Sequence, residues 1–322
     1  MDSKTWYVVG MVVLAVVAGF LGAMWYVTNQ NYSALHARYA NLQSMYNSLK
    51  SNYTNLQNQY NQLQRRYQQL QTTLAFEDGV KNWLGIECVY DKYGGNATLN
   101  LLNSTYSIAY EYLVKYSQTS NEAYLLEYPV AQYEYLASEY PQCAFNYTDQ
   151  YLVSTVMNAI NNVTNAAAEL GMLNSPLGTS LGTPLFIVFN RANNITYVTI
   201  GALPLVFYAI DYAEAGNATV ITYQGQELGY GFRANSTQVS VINGIISSGL
   251  RVGNANSPIV VIEYLDPECP YCALFQVEYG KALDSMVING SVLYVIQYFP
   301  THVIYYGCSS PTIAPMLGPY CG

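Results

Sequence analysis

Val260-Val261-Ile262-Glu263-Tyr264-Leu265-Asp266-Pro267-Glu268-Cys269-Pro270-Tyr271-Cys272 is the stretch on which the fold turns. It opens within a short apolar run, Ile259 to Tyr264, that a proline soon follows, the pattern of a buried strand. Asp266-Pro267-Glu268 forms the turn, and Pro270 sits where a helix starts, a position at which its missing N–H costs nothing. The helix is expected over Pro270 to Val287, with a second strand over Ser291 to Tyr298. Two cysteines spaced Cys-x-x-Cys at such a strand–helix junction have a chemical logic. Free N–H groups and the macrodipole at the helix start favour the thiolate of Cys269. That thiolate attacks a disulfide, and Cys272, one turn on, resolves the mixed disulfide. A four-residue loop is a poor staple and a good redox pair.

The strand–Asp-Pro-x-Cys-Pro-Tyr-Cys–helix run resembles the DsbA/DsbG-like branch of the thioredoxin superfamily. The resemblance implies an α/β thioredoxin-like domain with a helical insertion. It also implies a proton acceptor at Glu263, six residues before Cys269. Thr183-Pro184, within Leu181-Gly182-Thr183-Pro184-Leu185-Phe186-Ile187-Val188, looks like the family's cis-proline loop, which lies against the two cysteines and presents backbone to substrate. The candidate catalytic set is therefore Cys269, Cys272, Glu263, Pro184 and Thr183. The order departs from the family, because here the proline strand precedes the Cys-x-x-Cys pair. A circular permutation accounts for this, with residues 80–215 supplying the insertion and C-terminal half and 251–300 the N-terminal half. The alternative is two domains, the second a truncated thioredoxin fold.

Upstream, residues 80–175 read as mainly helical, with segments over Ile108–Tyr116, Glu122–Tyr140 (interrupted at Pro129) and Tyr151–Leu170. Pro184–Phe189 and Ile195–Ile200 alternate like two strands around a turn, and Ala202–Ala213 reads as a helix. A hairpin and then an amphipathic helix over Ser236–Ser247 fill 218–250. The tail, 300–322, is rich in Pro, Gly and Cys and is expected to be irregular.

From Trp6 to Val27 the chain is uncharged and mostly apolar, with aromatic pairs Trp6-Tyr7 and Trp25-Tyr26 at its two ends. At a rise of 1.5 Å per residue this stretch reaches about 33 Å, enough for a bilayer core. A cleaved signal peptide is the alternative. Tyrosine then recurs at Tyr32, Tyr39, Tyr46, Tyr53, Tyr60 and Tyr67, and leucine in step at Leu35, Leu42, Leu49, Leu56, Leu63 and Leu70. This heptad seam over 32–74 predicts a left-handed coiled coil and a homo-oligomer, against the alternative of one long helix lying on its own domain. The stalk is expected to end near Ala75-Phe76-Glu77-Asp78-Gly79. The resulting division is 1–29 tail and transmembrane anchor, 30–75 stalk, 76–215 helical region and proline-strand half, 216–250 connection, and 251–322 Cys-x-x-Cys half with tail.

Only 10% of residues are charged, with 34 tyrosines against 12 Lys plus Arg, and the net charge is −8. No basic patch serves nucleic acid. Asn-x-Ser/Thr sequons at Asn31, Asn52, Asn96, Asn103, Asn146, Asn162, Asn194, Asn217, Asn235 and Asn289 are glycosylation candidates. With six cysteines they favour an oxidising exterior, hence a single-pass protein of the cytoplasmic membrane with its large C-terminal domain outside the cell. Cys88 with Cys143 and Cys308 with Cys321 form structural disulfides in the simplest pairing, although spacing alone does not determine connectivity. Zinc on these four cysteines is the alternative, weakened by the lack of a second close pair; no metal and no cofactor is expected. His302 reads as a surface residue or as a neighbour of the site. Asp266 and Glu268 are expected to oppose ionisation of Cys269 and so to moderate its potential. Two functions fit. One is a thiol–disulfide oxidoreductase or isomerase acting on exported cysteine-containing proteins with a further redox partner. The other is a glycosylated cell-surface stalk protein whose thioredoxin-like fold is a scaffold.

Overall fold

The computed structural model describes residues 2–175 and 181–321. It divides into two compact units, Met1–Arg66 and Tyr67–Gly322. The first unit is helical from Ser3 onward, and its described side chains are exposed, the Tyr/Leu seam from Tyr32 to Leu63 included. Its N-terminal part is long and apolar enough to cross a membrane, a property that a signal sequence shares.

The helix that contains this unit, α1 (Ser3–Tyr93), does not end at the boundary expected near Ala75–Gly79. What changes there is burial: Ala75, Phe76, Val80, Trp83, Ile86 and Val89 are all packed inside. Gly79 is required by close approach and not by a helix end. A Cβ there would stand 2.8 Å from Val303 and 3.1 Å from the Glu268 carboxyl carbon. Gly85 is tighter still, since its Cβ would meet a methyl of the fully buried Leu136 at 2.2 Å. Helix propensity alone favours Gly85→Ala by about 1 kcal/mol, but overpacking a filled core costs about 1–3 kcal/mol. Gly85→Ala is therefore expected to destabilise the protein, and chemical denaturation of the full chain in detergent will show the sign.

Helices α2 (Gly95–Thr119), α3 (Ala123–Glu139) and α4 (Asp149–Glu169) follow. Pro129 does not interrupt α3. The carbonyl of Leu125 that its missing N–H leaves free accepts from the Tyr306 hydroxyl at 2.9 Å, so the break is compensated from a distant segment. Next come β1 (Leu185–Asn190), β2 (Ile195–Ile200), α5 (Leu205–Glu214), β3 (Val220–Tyr223), β4 (Gln226–Arg233) and α6 (Ser236–Ser248). The last stretch contains β5 (Leu250–Gly253), β6 (Ile259–Leu265), α7 (Pro270–Phe275), α8 (Lys281–Ile288), β7 (Val292–Tyr298), α9 (Thr301–Ser309) and α10 (Ala314–Leu317). Gln276–Gly280 is a π turn between α7 and α8, and β5 adds a strand the sequence reading lacked. The tail is not irregular. Val303 and Tyr306 of α9 and Leu317 of α10 pack with Phe76, Val80 and Leu152 into a core of their own.

The strands form one sheet in the order β3-β4-β2-β1-β6-β7-β5, with β6 and β7 parallel and every other pair antiparallel. Every residue of β6 is buried because helices cover both faces. Phe186, Val188, Val261 and Tyr294 look toward α2, α5 and α7, while Leu185, Ile187, Val260 and Ile262 look toward α4 and α6.

Candidate active site

β6 and α7 meet at Cys269, which caps the helix: its sulfur accepts from the Cys272 N–H at 3.4 Å. Both cysteines are free and buried. Pairing of β1 with β6 brings Leu185 opposite Tyr264, which carries the preceding Thr183–Pro184 peptide, a cis bond, to the same end of the sheet. The Cys269 thiol donates to the Thr183 carbonyl at 3.2 Å, although 86 positions separate the two residues.

Glu263 lies in β6 on the α7 side, buried, and accepts from the Tyr294 hydroxyl. Burial pushes its carboxyl up to about 8, against the pull of the Tyr294 hydrogen bond and with repulsion from Cys269 adding to it. Burial likewise raises the Cys272 thiol well above its usual range, with Cys269 and then Glu263 contributing further. Burial also acts to raise Cys269. Hydrogen bonds from Cys272 and His302, the His302 charge and a hydrogen bond from the Thr183 side chain overcome it and hold this thiol well below the ordinary range. One sulfur is thus poised as thiolate and its neighbour as thiol.

The expected opposition holds for Asp266, which Cys269 repels, and lapses for Glu268, whose charge is suppressed by burial. Glu268 is wholly buried, its Oε1 accepting from Asn82 Nδ2 at 2.8 Å. Burial, then repulsion by Asp266, drives its pKa well above the carboxylate range and favours the neutral acid. Asp266 is also buried and raised by burial, but it receives the His302 backbone N–H at 2.6 Å and the Glu268 N–H at 3.1 Å. His302 belongs to this cluster and not to a remote surface: its Nδ1 is 3.9 Å from Asp266 Oδ2, with the side chain 35% exposed. Its pKa is raised. Burial works against that shift and the Cys269 hydrogen bond and charge, followed by Asp266, carry it.

The Asp266-Pro267-Glu268 turn is held mostly from outside by side chains. Tyr106 of α2 donates to the Asp266 carbonyl at 3.3 Å, Gln132 of α3 to that of Pro267 at 3.1 Å, and Tyr128 of α3 to that of Glu268. None of Asn82, Tyr106, Tyr128 and Gln132 carries a local signal, since one tyrosine among 34 stands out only when its partner is known.

The remaining cysteines are joined. Cys88–Cys143 has its Cα atoms 5.6 Å apart and ties α1 to the turn after α3, while Cys308–Cys321, at 5.2 Å, ties α9 to the last turn. The zinc alternative for these four thus gives way to disulfides, and the described residues hold no cluster of three or more His, Cys, Asp or Glu suited to a metal. Nine sequon asparagines are exposed. Asn103 is half-buried, with its Nδ2 donating to Asp284 Oδ2 at 2.9 Å.

A family model described as Thioredoxin matches residues 247–311, from the end of α6 through α9. No curated protein and no solved structure matches the chain. The segment built around Cys269 and Cys272 is a thioredoxin-like domain.

Proposed function

We propose that this chain is a membrane-anchored, extracytoplasmic thiol–disulfide oxidoreductase or isomerase of DsbA/DsbG-like type, acting on exported proteins through Cys269 and Cys272. The observation that carries the reading is the placement of the pair: Cys269 caps α7, its sulfur on the Cys272 N–H and against the Thr183 carbonyl beside the cis-proline, a setting in which Cys269 is shifted toward thiolate and the buried Cys272 toward thiol. Such a pair attacks with one sulfur and resolves with the other. The Cys269 thiolate adds to a substrate disulfide, forming a mixed disulfide and expelling one substrate thiolate. Cys272 gives its proton to Glu263 and displaces the second substrate sulfur, leaving Cys269–Cys272 oxidised and the substrate reduced by two electrons. The reverse sequence oxidises a substrate dithiol. Cys269 is only 1% exposed, so access to its sulfur is narrow, whereas Tyr271 beside it is 60% exposed.

A circular permutation accounts for the order of the elements. It is supported by the antiparallel pairing of β1 with β6 and by the contact of Thr183 with Cys269. The apolar start of α1 supports the anchor, and the exposed sequons support an outward domain. The exposed Tyr/Leu seam from Tyr32 to Leu70 supports a parallel coiled coil with further copies of the chain, which would gather several active sites at one membrane face.

The reduction potential of the Cys269–Cys272 pair tests the reading, measured on the full chain in detergent equilibrated with glutathione buffers. A value between about −120 and −230 mV is expected of an exchange catalyst. A value below roughly −300 mV, with Cys269 unreactive, marks a structural bridge and would leave the chain a surface stalk protein with a thioredoxin-like scaffold.

A further inference from the structure

The start of α9 is bonded into the cysteine site from two sides. Thr301 Oγ1 lies 2.7 Å from Thr183 Oγ1, in the loop whose carbonyl receives the Cys269 thiol. The same Thr301 oxygen lies 3.1 Å from His302 Nδ1 and 3.4 Å from Asp266 Oδ2. His302 is anchored by its own backbone N–H on Asp266 Oδ2, the residue whose carbonyl accepts from the Cys269 N–H at 2.9 Å, and its ring is near enough to act on the Cys269 sulfur. The acidic groups around it are Asp266, Cys269 and Cys272, with Glu263 in β6 and Glu268, held by Asn82, behind them. The phenols of Tyr106, Tyr128 and Tyr306 complete the surroundings, donating to Asp266 O, Glu268 O and Leu125 O. Of the groups that act most strongly on Cys269, His302 is the one that can carry a positive charge.

We infer that His302 is a catalytic residue that takes the Cys269 proton, forming a thiolate–imidazolium pair, and that Asp266 positions it. The inference rests on the oxidoreductase reading and adds to it a separate proton acceptor for each sulfur: His302 for Cys269 and Glu263 for Cys272. When the Cys269 thiolate attacks a substrate disulfide, the first substrate sulfur leaves with the His302 proton. The second leaves with the proton that Cys272 passed to Glu263. One dithiol and one substrate disulfide thus become one enzyme disulfide and two substrate thiols, with no proton left over. A buried carboxylate behind an imidazole stabilises the imidazolium and fixes the ring, which is the part assigned to Asp266.

The rate of Cys269 alkylation against pH, read by peptide mass spectrometry on the reduced full chain in detergent, tests this directly. His302→Asn is expected to raise the midpoint by about one pH unit or more, a tenfold loss of thiolate at acid pH. His302→Lys, which restores a positive charge, is expected to bring the midpoint back down. The chain has two histidines, so His36→Gln leaves a single imidazole resonance in the proton spectrum. That resonance is expected to titrate at higher pH in the reduced than in the oxidised protein, because oxidation removes the negative sulfur. A midpoint that His302→Asn does not move, in a variant that keeps both structural disulfides, would overturn the inference. So would an imidazole that titrates alike in the two redox states, a result that stands even if His302→Asn fails to fold. Failure of the oxidoreductase reading has a different signature: the low potential and unreactive Cys269 described above.

Discussion

Replacing Cys269 by serine is expected to bring exchange with a substrate disulfide down to the uncatalysed level, a loss on the order of a thousandfold or more. Cys272→Ser is expected to do something different: the protein reacts once and remains joined to its partner through Cys269. The difference follows from geometry. Cys269 caps α7 and is held well below the ordinary thiol range, so it is the sulfur expected to attack; Cys272 is buried and raised, so its part is expected only once a mixed disulfide has formed. Serine at 269 keeps the helix cap, because its hydroxyl can accept from the same N–H, and removes the nucleophile. Non-reducing electrophoresis with a disulfide-bonded reporter protein separates the outcomes. Covalent adducts with Cys272→Ser that a reductant releases, and none with Cys269→Ser, are the expected result. Adducts with both variants, or with neither, would contradict the assignment.

The second large effect is on stability. Glu263 titrates near 8 in the folded protein against an ordinary value of 4.5, because burial penalises its charged form. A raised carboxyl favours the folded state while it is protonated in both states, below about pH 4.5. That contribution is lost as the pH rises toward 8, since the unfolded chain ionises freely and the folded one does not. At about 1.4 kcal/mol per pH unit the loss from this group is roughly 4–5 kcal/mol, a large share of the 5–15 kcal/mol typical of a domain. Glu263→Gln is expected to remove this part of the pH dependence, keeping the Tyr294 hydrogen bond near acid pH and leaving the variant more stable than the natural chain above about pH 8. Parallel thermal melts of both proteins in detergent, from about pH 5 to 9, will show whether the curves diverge. Curves that stay parallel would mean that Glu263 titrates as an ordinary surface acid and is no proton acceptor for Cys272. Asp266 and Glu268 are raised as well, so the natural chain keeps some of its slope in either case.

How far the residues announce this site depends on how local each piece is. The strand, turn, cysteine pair and helix lie within 30 consecutive positions, and their signals are neighbour relations: an apolar run, a proline at the first helical turn, two cysteines one turn apart. The β1–β2 hairpin is equally local, and so is the heptad of tyrosine and leucine, a pattern that needs nothing outside its own helix to be seen. Pro129 shows where this stops. By its own chemistry it ends a helix, and only the hydroxyl of Tyr306, 181 positions from the carbonyl it satisfies, lets α3 continue. His302 is the same case at the site. Nothing in Thr301-His302-Val303 marks it, and its importance comes from the parallel pairing of β6 with β7, which delivers the start of α9 beside Asp266. Glu268 reads as a charge next to Cys269 until α1 brings Asn82 to it, 186 positions away, and closes the carboxyl in a dry interior. Charge type and helix periodicity are properties of short segments and survive translation into a list of residues. Burial, and with it the protonation state of every acid and thiol in this site, is created only when segments far apart in the chain exclude water together.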